Sequence, residues 1–341
     1  MRWDNLRLDV VPQDSRLTTP LFQQGAVVRT FDTPEFRGLT FYEVQARSII
    51  NKVPDSSYVP FRWTINPYRG CSHACAYCFA RKSHTYLDLD HGKDFDSRIV
   101  VKVNAPELLR RELSNAKWSG EHIAMGTNVD TYQRAEGRYR LMRGILEALR
   151  DFANPFSILT KGTLILRDLD LLTECARVAD VATNVSVGSV DQELWKAVEP
   201  GTPSPIRRLD TCRVLNEAGV PCGVLMAPIL PFISDSDEAL EDTVRAIASA
   251  GATHIAPIVL HLRKGGSREW FFRWLEDRHP DLVPRYRELY GDRAYAPKSY
   301  QGKIAEKVAR HARRFRVGKT SGRQARRIER DPPSAEQLRL A

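Results

Sequence analysis

Long apolar runs are missing from this chain of 341 residues. No stretch approaches the roughly 18 apolar residues of a membrane-spanning helix, and Met1 to Arg7 opens without the apolar core of a secretory leader. A cytoplasmic protein with no membrane partner is the expectation. Cysteine is sparse, at six residues, and half of these fall in one short stretch, unlike the disulfide framework of a small secreted domain. Internal repeats and low-complexity segments are also absent. Gly318-Lys319-Thr320 has the ending of a P-loop, but Arg313 stands where that loop requires its first glycine, which excludes it. With 42% hydrophobic and 27% charged residues, the chain carries enough apolar material for a full globular core.

The net charge of +9 is unevenly placed, because Lys298 to Arg330 holds twelve Lys or Arg against two Glu. The rest of the chain is close to neutral. Ile304, Val308, His311 and Phe315 recur at helical spacing, which predicts a basic amphipathic helix over 303–316 with its apolar stripe docked on the body. The cations that continue through Arg323, Arg326 and Arg327 suit phosphates, so residues 298–330 are the expected contact for a nucleic-acid partner. A solvated helix followed by a disordered end is the competing reading.

From Trp63 onward, apolar strand-like runs alternate with amphipathic helix-like runs, the pattern of parallel strands with helical crossovers. Six strands are predicted, at 62–66, 122–128, 156–161, 181–189, 222–230 and 254–262. Asn104-Ala-Pro-Glu and Ser234-Asp-Ser-Asp-Glu read as helix starts, and Gly219 and Gly251 as helix stops. The fold class is therefore α/β, a partial (β/α)6 TIM-like barrel whose site lies at the carboxyl ends of the strands. The expected division is an extended lead-in over 1–60, a core barrel over 61–265, C-terminal helices over 266–317 and a basic tail over 318–341.

Cys71, Cys75 and Cys78 lie on one loop just after the first strand, spaced C-x3-C-x2-C. Thiolates are the soft ligands of iron–sulfur clusters, and a cubane held by three of them keeps one iron open, whereas structural clusters and structural zinc are normally closed by four ligands. A zinc site completed by His73, His84 or His91 is the alternative, although no second C-x2-C or H-x3-H half accompanies it. Cys175 and Cys212 fall on helix patterns and Cys222 begins a strand, so all three read as small buried apolar residues. His254 and His261, on the sixth strand, are candidates to line the lumen.

The segments Asn66-Pro-Tyr-Arg-Gly-Cys71, Cys75-Ala-Tyr-Cys78-Phe-Ala-Arg81, Asp130-Thr-Tyr-Gln-Arg-Ala-Glu136, Glu199-Pro-Gly-Thr202, Ala227-Pro-Ile-Leu-Pro231 and Leu260-His-Leu-Arg263 occur in order over about residues 60 to 280. Together they resemble the spore photoproduct lyase-like branch of the radical S-adenosylmethionine (SAM) superfamily. The resemblance implies a [4Fe–4S] cluster on Cys71, Cys75 and Cys78 whose open iron chelates the amino and carboxylate groups of SAM. It also implies an external reductant such as a flavodoxin or ferredoxin, and a 5′-deoxyadenosyl radical that abstracts hydrogen from the substrate. Tyr77, Thr127, Asn128, Lys161 and Ser186 are then the expected SAM contacts, with Lys161 at the carboxylate and Ser186 at the ribose. Asp130 and Tyr132 are the candidates for catalysis. Glu136 is either a contact or a helix-start charge, and Glu199-Pro-Gly-Thr202 either a contact or a turn.

The chain departs from the lyase in one respect. The lyase returns a hydrogen atom to its product from a cysteine in the region of Ala124-Met-Gly-Thr-Asn-Val-Asp130, which here contains none. Thr127 is a poor replacement, since an O–H bond is much stronger than an S–H bond. The expectation is a radical SAM enzyme acting on a nucleic acid or nucleotide by a route other than the lyase's, with lyase, oxidoreductase and transferase chemistry all open. The alternatives are the same radical chemistry on a peptide or small metabolite, and a non-enzymatic metal-cluster protein that binds nucleic acid.

Overall fold

The computed structural model describes residues 6–7, 26–55, 57 and 59–318. Six parallel strands form its centre: β1 (Trp63–Ile65), β2 (Ile123–Met125), β3 (Phe156–Thr160), β4 (Val181–Ser186), β5 (Cys222–Ile229) and β6 (Ile255–Val259). They neighbour one another in chain order, and Ile50–Lys52 adds an antiparallel strand beside β1. Parallel strands need helical crossovers, which cover the sheet and favour apolar runs over strict alternation. The helix Leu141–Asp151, for example, buries Leu141, Met142, Ile145, Leu146 and Leu149. Each such side chain contributes about 1.5–3 kcal/mol by leaving water. The partial (β/α)6 barrel expected from the sequence is present, each strand falling within its predicted range.

Residues 26–52 hold more structure than a plain lead-in. Val27–Arg29 pairs with Thr40–Ala46, which runs parallel to Arg98–Lys102, and that strand pairs with Tyr68–Arg69. Leu6–Arg7 also pairs with Thr40–Ala46, completing a second, five-stranded sheet. This sheet straddles the expected boundary at residue 60, because two of its strands lie inside the 61–265 segment.

After β6, the helices Ser267–Arg278 and Val283–Tyr290 pack over the strand exits. Tyr286 donates its hydroxyl to the Pro231 carbonyl at 2.8 Å and Tyr290 to that of Leu260 at 2.5 Å, while Ser267 reaches the Phe79 carbonyl at 3.0 Å. The basic helix spans Lys298–Arg314, starting earlier than its apolar spacing predicts, and buries Ile304, Val308 and His311. It lies on the helix Asp237–Ser249, where Arg310 pairs with Asp237 and Arg314 with Glu241. Part of its charge is thus neutralised within the fold. Arg323, Arg326, Arg327 and the rest of the expected tail beyond residue 318 lie outside the described residues. Among the described residues no helix is long and apolar enough to cross a membrane.

Candidate metal and cofactor site

The cysteine loop is shaped by residues distant in sequence. Beyond β1, Tyr68–Arg69 pairs with Arg98–Lys102, and Gly70 then turns the chain at φ +77°. A Cβ there would lie 2.8 Å from His84 Cε1 and 2.9 Å from the Arg98 carbonyl oxygen, so only glycine fits both the conformation and the space. The Gln133 amide clamps the loop, accepting from the Ser72 N–H and donating to the Gly70 carbonyl, each at 2.9 Å. Cys71 N–H donates to Phe95, Ala76 N–H to Val198 and Gly201 N–H to His73. Any side chain at Gly201 would run into the Ser72 carbonyl.

Arg81 supports the loop from beneath. Its guanidinium is fully buried between the rings of Phe95 and Trp270, with centroids at 5.2 and 4.6 Å. It donates to the carbonyls of Cys75 and Gly92, each at 2.9 Å, and pairs with Asp96. Cation–π contact and the hydrogen bonds of the two terminal nitrogens offset much of the water lost on burial, while Nε is buried without a hydrogen-bond partner among the described residues.

All three thiols are free; Cys71 and Cys75 are buried and Cys78 is half-buried. Burial pushes each thiol pKa upward, opposed by Lys161 at Cys75 and by Arg81 at Cys78. Three unbridged thiols suit a cluster bound through three thiolates; the cations beside Cys75 and Cys78 offset part of the charge that metal binding creates, whereas the carboxylate of Asp130 adds negative charge beside Cys71. Of the histidines weighed for zinc, His84 Nε2 bonds the Arg98 carbonyl at 2.8 Å and His73 Nδ1 lies 3.3 Å from Asp130.

The expected SAM contacts stand around this loop. Lys161 follows β3 and places Nζ 5.6 Å from the Tyr77 ring centroid. Ser186 ends β4, its buried hydroxyl donating to the Ala227 carbonyl at 2.9 Å, so its oxygen remains an acceptor. Thr127 and Asn128 lie half-buried just past β2. A small cavity of about 20 Å³ opens beside Tyr77, lined also by Gly188, Trp195, Glu199 and Pro228.

The two catalytic candidates differ in placement. Asp130 accepts from Thr160 Oγ1 at 2.7 Å, Lys161 N–H at 2.6 Å and Tyr132 N–H at 2.9 Å, with His73 alongside. Burial alone would raise its pKa, but His73 and these donors outweigh that and hold it down to about 2. It is an ionised anchor that joins the exits of β2 and β3 to the cysteine loop. Tyr132 is buried, and its hydroxyl is committed to Asp168 at 3.2 Å. Glu136 belongs to the same interior network, accepting from Tyr68 and Arg167.

His254 lies at the amino end of β6, against Thr253, whereas the His261 ring sits tilted between those of Phe79 and Tyr295, with centroids at 5.3 and 5.4 Å. Cys175, Cys212 and Cys222 are fully buried, with thiols on the carbonyls of Leu146, Cys222 and Gly223. None replaces the thiol missing near Thr127. Gln133 and Arg81 were not singled out by their types, although both lie within the motif segments, and Glu199 is more than a turn. Its carboxylate accepts from the Tyr77 hydroxyl and pairs with Arg208.

Three free thiols follow the first strand of a six-stranded parallel, partial barrel, with Lys161 and Ser186 at the carboxyl ends of later strands, an arrangement consistent with a radical SAM fold. The profile of the Radical SAM superfamily matches residues 65–247, and the chain belongs to that superfamily. Membership implies an enzyme that uses SAM and a [4Fe–4S] cluster and draws electrons from an external reductant. Among relatives, an uncharacterized protein of Mycobacterium tuberculosis is 48% identical over 319 residues, covering 93% of each chain. An uncharacterized protein of Methanocaldococcus jannaschii is 32% identical over 203 residues, covering 59% of this chain and 72% of its own. The fold is shared with spore photoproduct lyase in complex with a dinucleoside spore photoproduct, at TM-score 0.60 and 17% identity, over 82% of this chain and 80% of that one.

Proposed function

We propose that this protein reductively cleaves SAM at a [4Fe–4S] cluster held by Cys71, Cys75 and Cys78, and that the resulting 5′-deoxyadenosyl radical takes hydrogen from a nucleotide-containing substrate. What supports this reading is that three unbridged thiols, Lys161 and Ser186 all lie at or just beyond the carboxyl ends of β1, β3 and β4, with Lys161 near enough to Cys75 to act on its thiol. The Lys161 ammonium supplies a compact positive charge for a carboxylate. The Ser186 oxygen accepts from a ribose hydroxyl, the Tyr77 ring forms a wall, and Thr127 and Asn128 offer polar groups from the exit of β2. Asp130, ionised and fully bonded, holds Lys161 and the cysteine loop in place.

The substrate class is supported by the surface next to the third cysteine. His261 packs at a tilt between Phe79 and the exposed ring of Tyr295, and the Arg263 guanidinium lies 5.6 Å from the Phe79 centroid. Ring faces beside exposed cations suit a base and its phosphate. Lys303, Arg313 and Arg316 add exposed positive charge on or just beyond the C-terminal helix. A dinucleoside is bound in the lyase complex of the same fold.

Anaerobic reconstitution with iron and sulfide, followed by SAM and a strong reductant, should yield 5′-deoxyadenosine; its absence would overturn the enzymatic reading. Lys161→Met should weaken SAM binding about 10- to 100-fold, the loss of one charged hydrogen bond, with iron content unchanged. Single-stranded oligonucleotides should bind with an affinity that falls as salt rises, and a zero slope would remove the nucleotide part of the proposal.

A further inference from the structure

We propose that Glu199 and Arg208 act as a positioning pair that locks the Tyr77 ring and the Ser186 backbone into one rigid SAM seat. The proposal rests on the assignment of Tyr77 and Ser186 to SAM made above. Both charged side chains are buried, at 5% and 1% exposure. One Glu199 oxygen accepts from the Tyr77 hydroxyl and the other from Arg208 Nη2. The same guanidinium spreads its remaining donors over the Ser186 carbonyl at 2.7 Å, the Pro203 carbonyl at 2.9 Å and the Thr202 hydroxyl at 3.3 Å. Thr202 donates back to the Glu199 carbonyl at 2.9 Å and accepts from Trp195 Nε1 at 2.9 Å, which fixes the loop that carries the carboxylate.

Stability alone does not account for such a pair, because a buried ion pair is often no better than well-packed apolar residues of similar volume. Its distinguishing property is geometry. The planar fork of an arginine can bond a carboxylate and two backbone carbonyls in fixed directions, which a lysine cannot. Here those directions run from the aromatic ring inside the cysteine motif to the last residue of β4. Neither Glu199 nor Arg208 needs to touch SAM; each acts through the group it holds. The two walls of the seat belong to elements more than a hundred residues apart, and the pair removes their freedom to separate before the ligand arrives.

The test uses the full chain reconstituted anaerobically, with SAM affinity measured by equilibrium dialysis alongside iron content and the change that SAM produces in the cluster's electron paramagnetic resonance spectrum. Glu199→Gln and Arg208→Lys should each weaken SAM binding about tenfold and reduce the SAM-dependent spectral change, while iron per chain stays at the wild-type level. Unchanged SAM affinity with a full cluster overturns the proposal. So does a loss of iron with normal SAM affinity per loaded cluster, which would confine the pair to the cysteine loop. If a single variant leaves a buried charge that prevents folding, the Glu199→Met/Arg208→Met double variant removes both charges and takes its place under the same criteria. Wild-type protein that loads iron but binds no SAM would instead remove the underlying site assignment.

Discussion

The two ends of the parallel sheet bury polar groups of different kinds. At the amino end the work falls to neutral amides. Asn154 accepts from Trp118 Nε1 at 2.8 Å and donates to the carbonyls of Glu121 and Pro155. Asn216 accepts from the Cys222 N–H at 2.8 Å and donates to the carbonyls of Cys222 and Gly251. At the carboxyl end, Arg81, Asp130, Glu199 and Arg208 are charged and almost wholly enclosed. Neutral amides suffice to satisfy backbone groups where strands begin. Charge, which costs far more to bury, is concentrated where a charged cofactor is expected.

The largest effect is expected of Cys78→Ala, at the carboxyl end. It should abolish the four-iron spectrum of the reconstituted protein and all SAM cleavage while leaving the fold intact, and a retained [4Fe–4S] spectrum would contradict the ligand set. Asn216→Ala attacks the other end. Leaving the buried Cys222 N–H without its partner should cost about 1–3 kcal/mol, read as a lower thermal midpoint, with SAM cleavage per folded molecule unchanged. A loss of cleavage in the folded fraction would show that the two ends are not separable.

A smaller effect concerns His84, packed under Gly70. Burial, partly offset by its bond to the Arg98 carbonyl, depresses its pKa to about 4 from an ordinary 6.5. A histidine held neutral in the fold charges more readily when unfolded. Its contribution is therefore complete above pH 6.5 and is lost as the pH falls toward 4, about 2 kcal/mol between pH 7 and pH 5. His84→Leu should flatten that part of the stability profile, and an unchanged profile would assign the acid sensitivity elsewhere.

The six strands and the cysteine loop were legible because their signals are local: apolar runs of strand length, and thiols within one turn of each other. The second sheet was not, because its parallel pairing joins Thr40–Ala46 to Arg98–Lys102 across more than fifty residues, and Val27–Arg29 is too short to show a period. Arg81, Arg208 and Glu199 were hidden for another reason. A charge in a sequence reads as solvent-facing, and only the fold shows that Phe95 and Trp270 enclose one of these arginines and that the other two residues neutralise each other. Glu136 was legible as a first-turn charge in the helix Arg134–Tyr139, but not as a partner of Tyr68 and Arg167.

The bonds from Val198 and Gly201 to the cysteine loop also bear on biosynthesis. Cys78 leaves the ribosome about 120 residues before Gly201, an interval of roughly 6 to 25 s at ordinary elongation rates. During that time the three thiols lack the segment that later packs against Ser72, His73 and Ala76. The loop acquires its final shape only after β4 and the segment beyond it have been made. A cluster held by these thiols would therefore find its loop complete only once synthesis has passed residue 201, and until then the nascent thiols depend on surrounding reductants to stay free of one another and of stray metal.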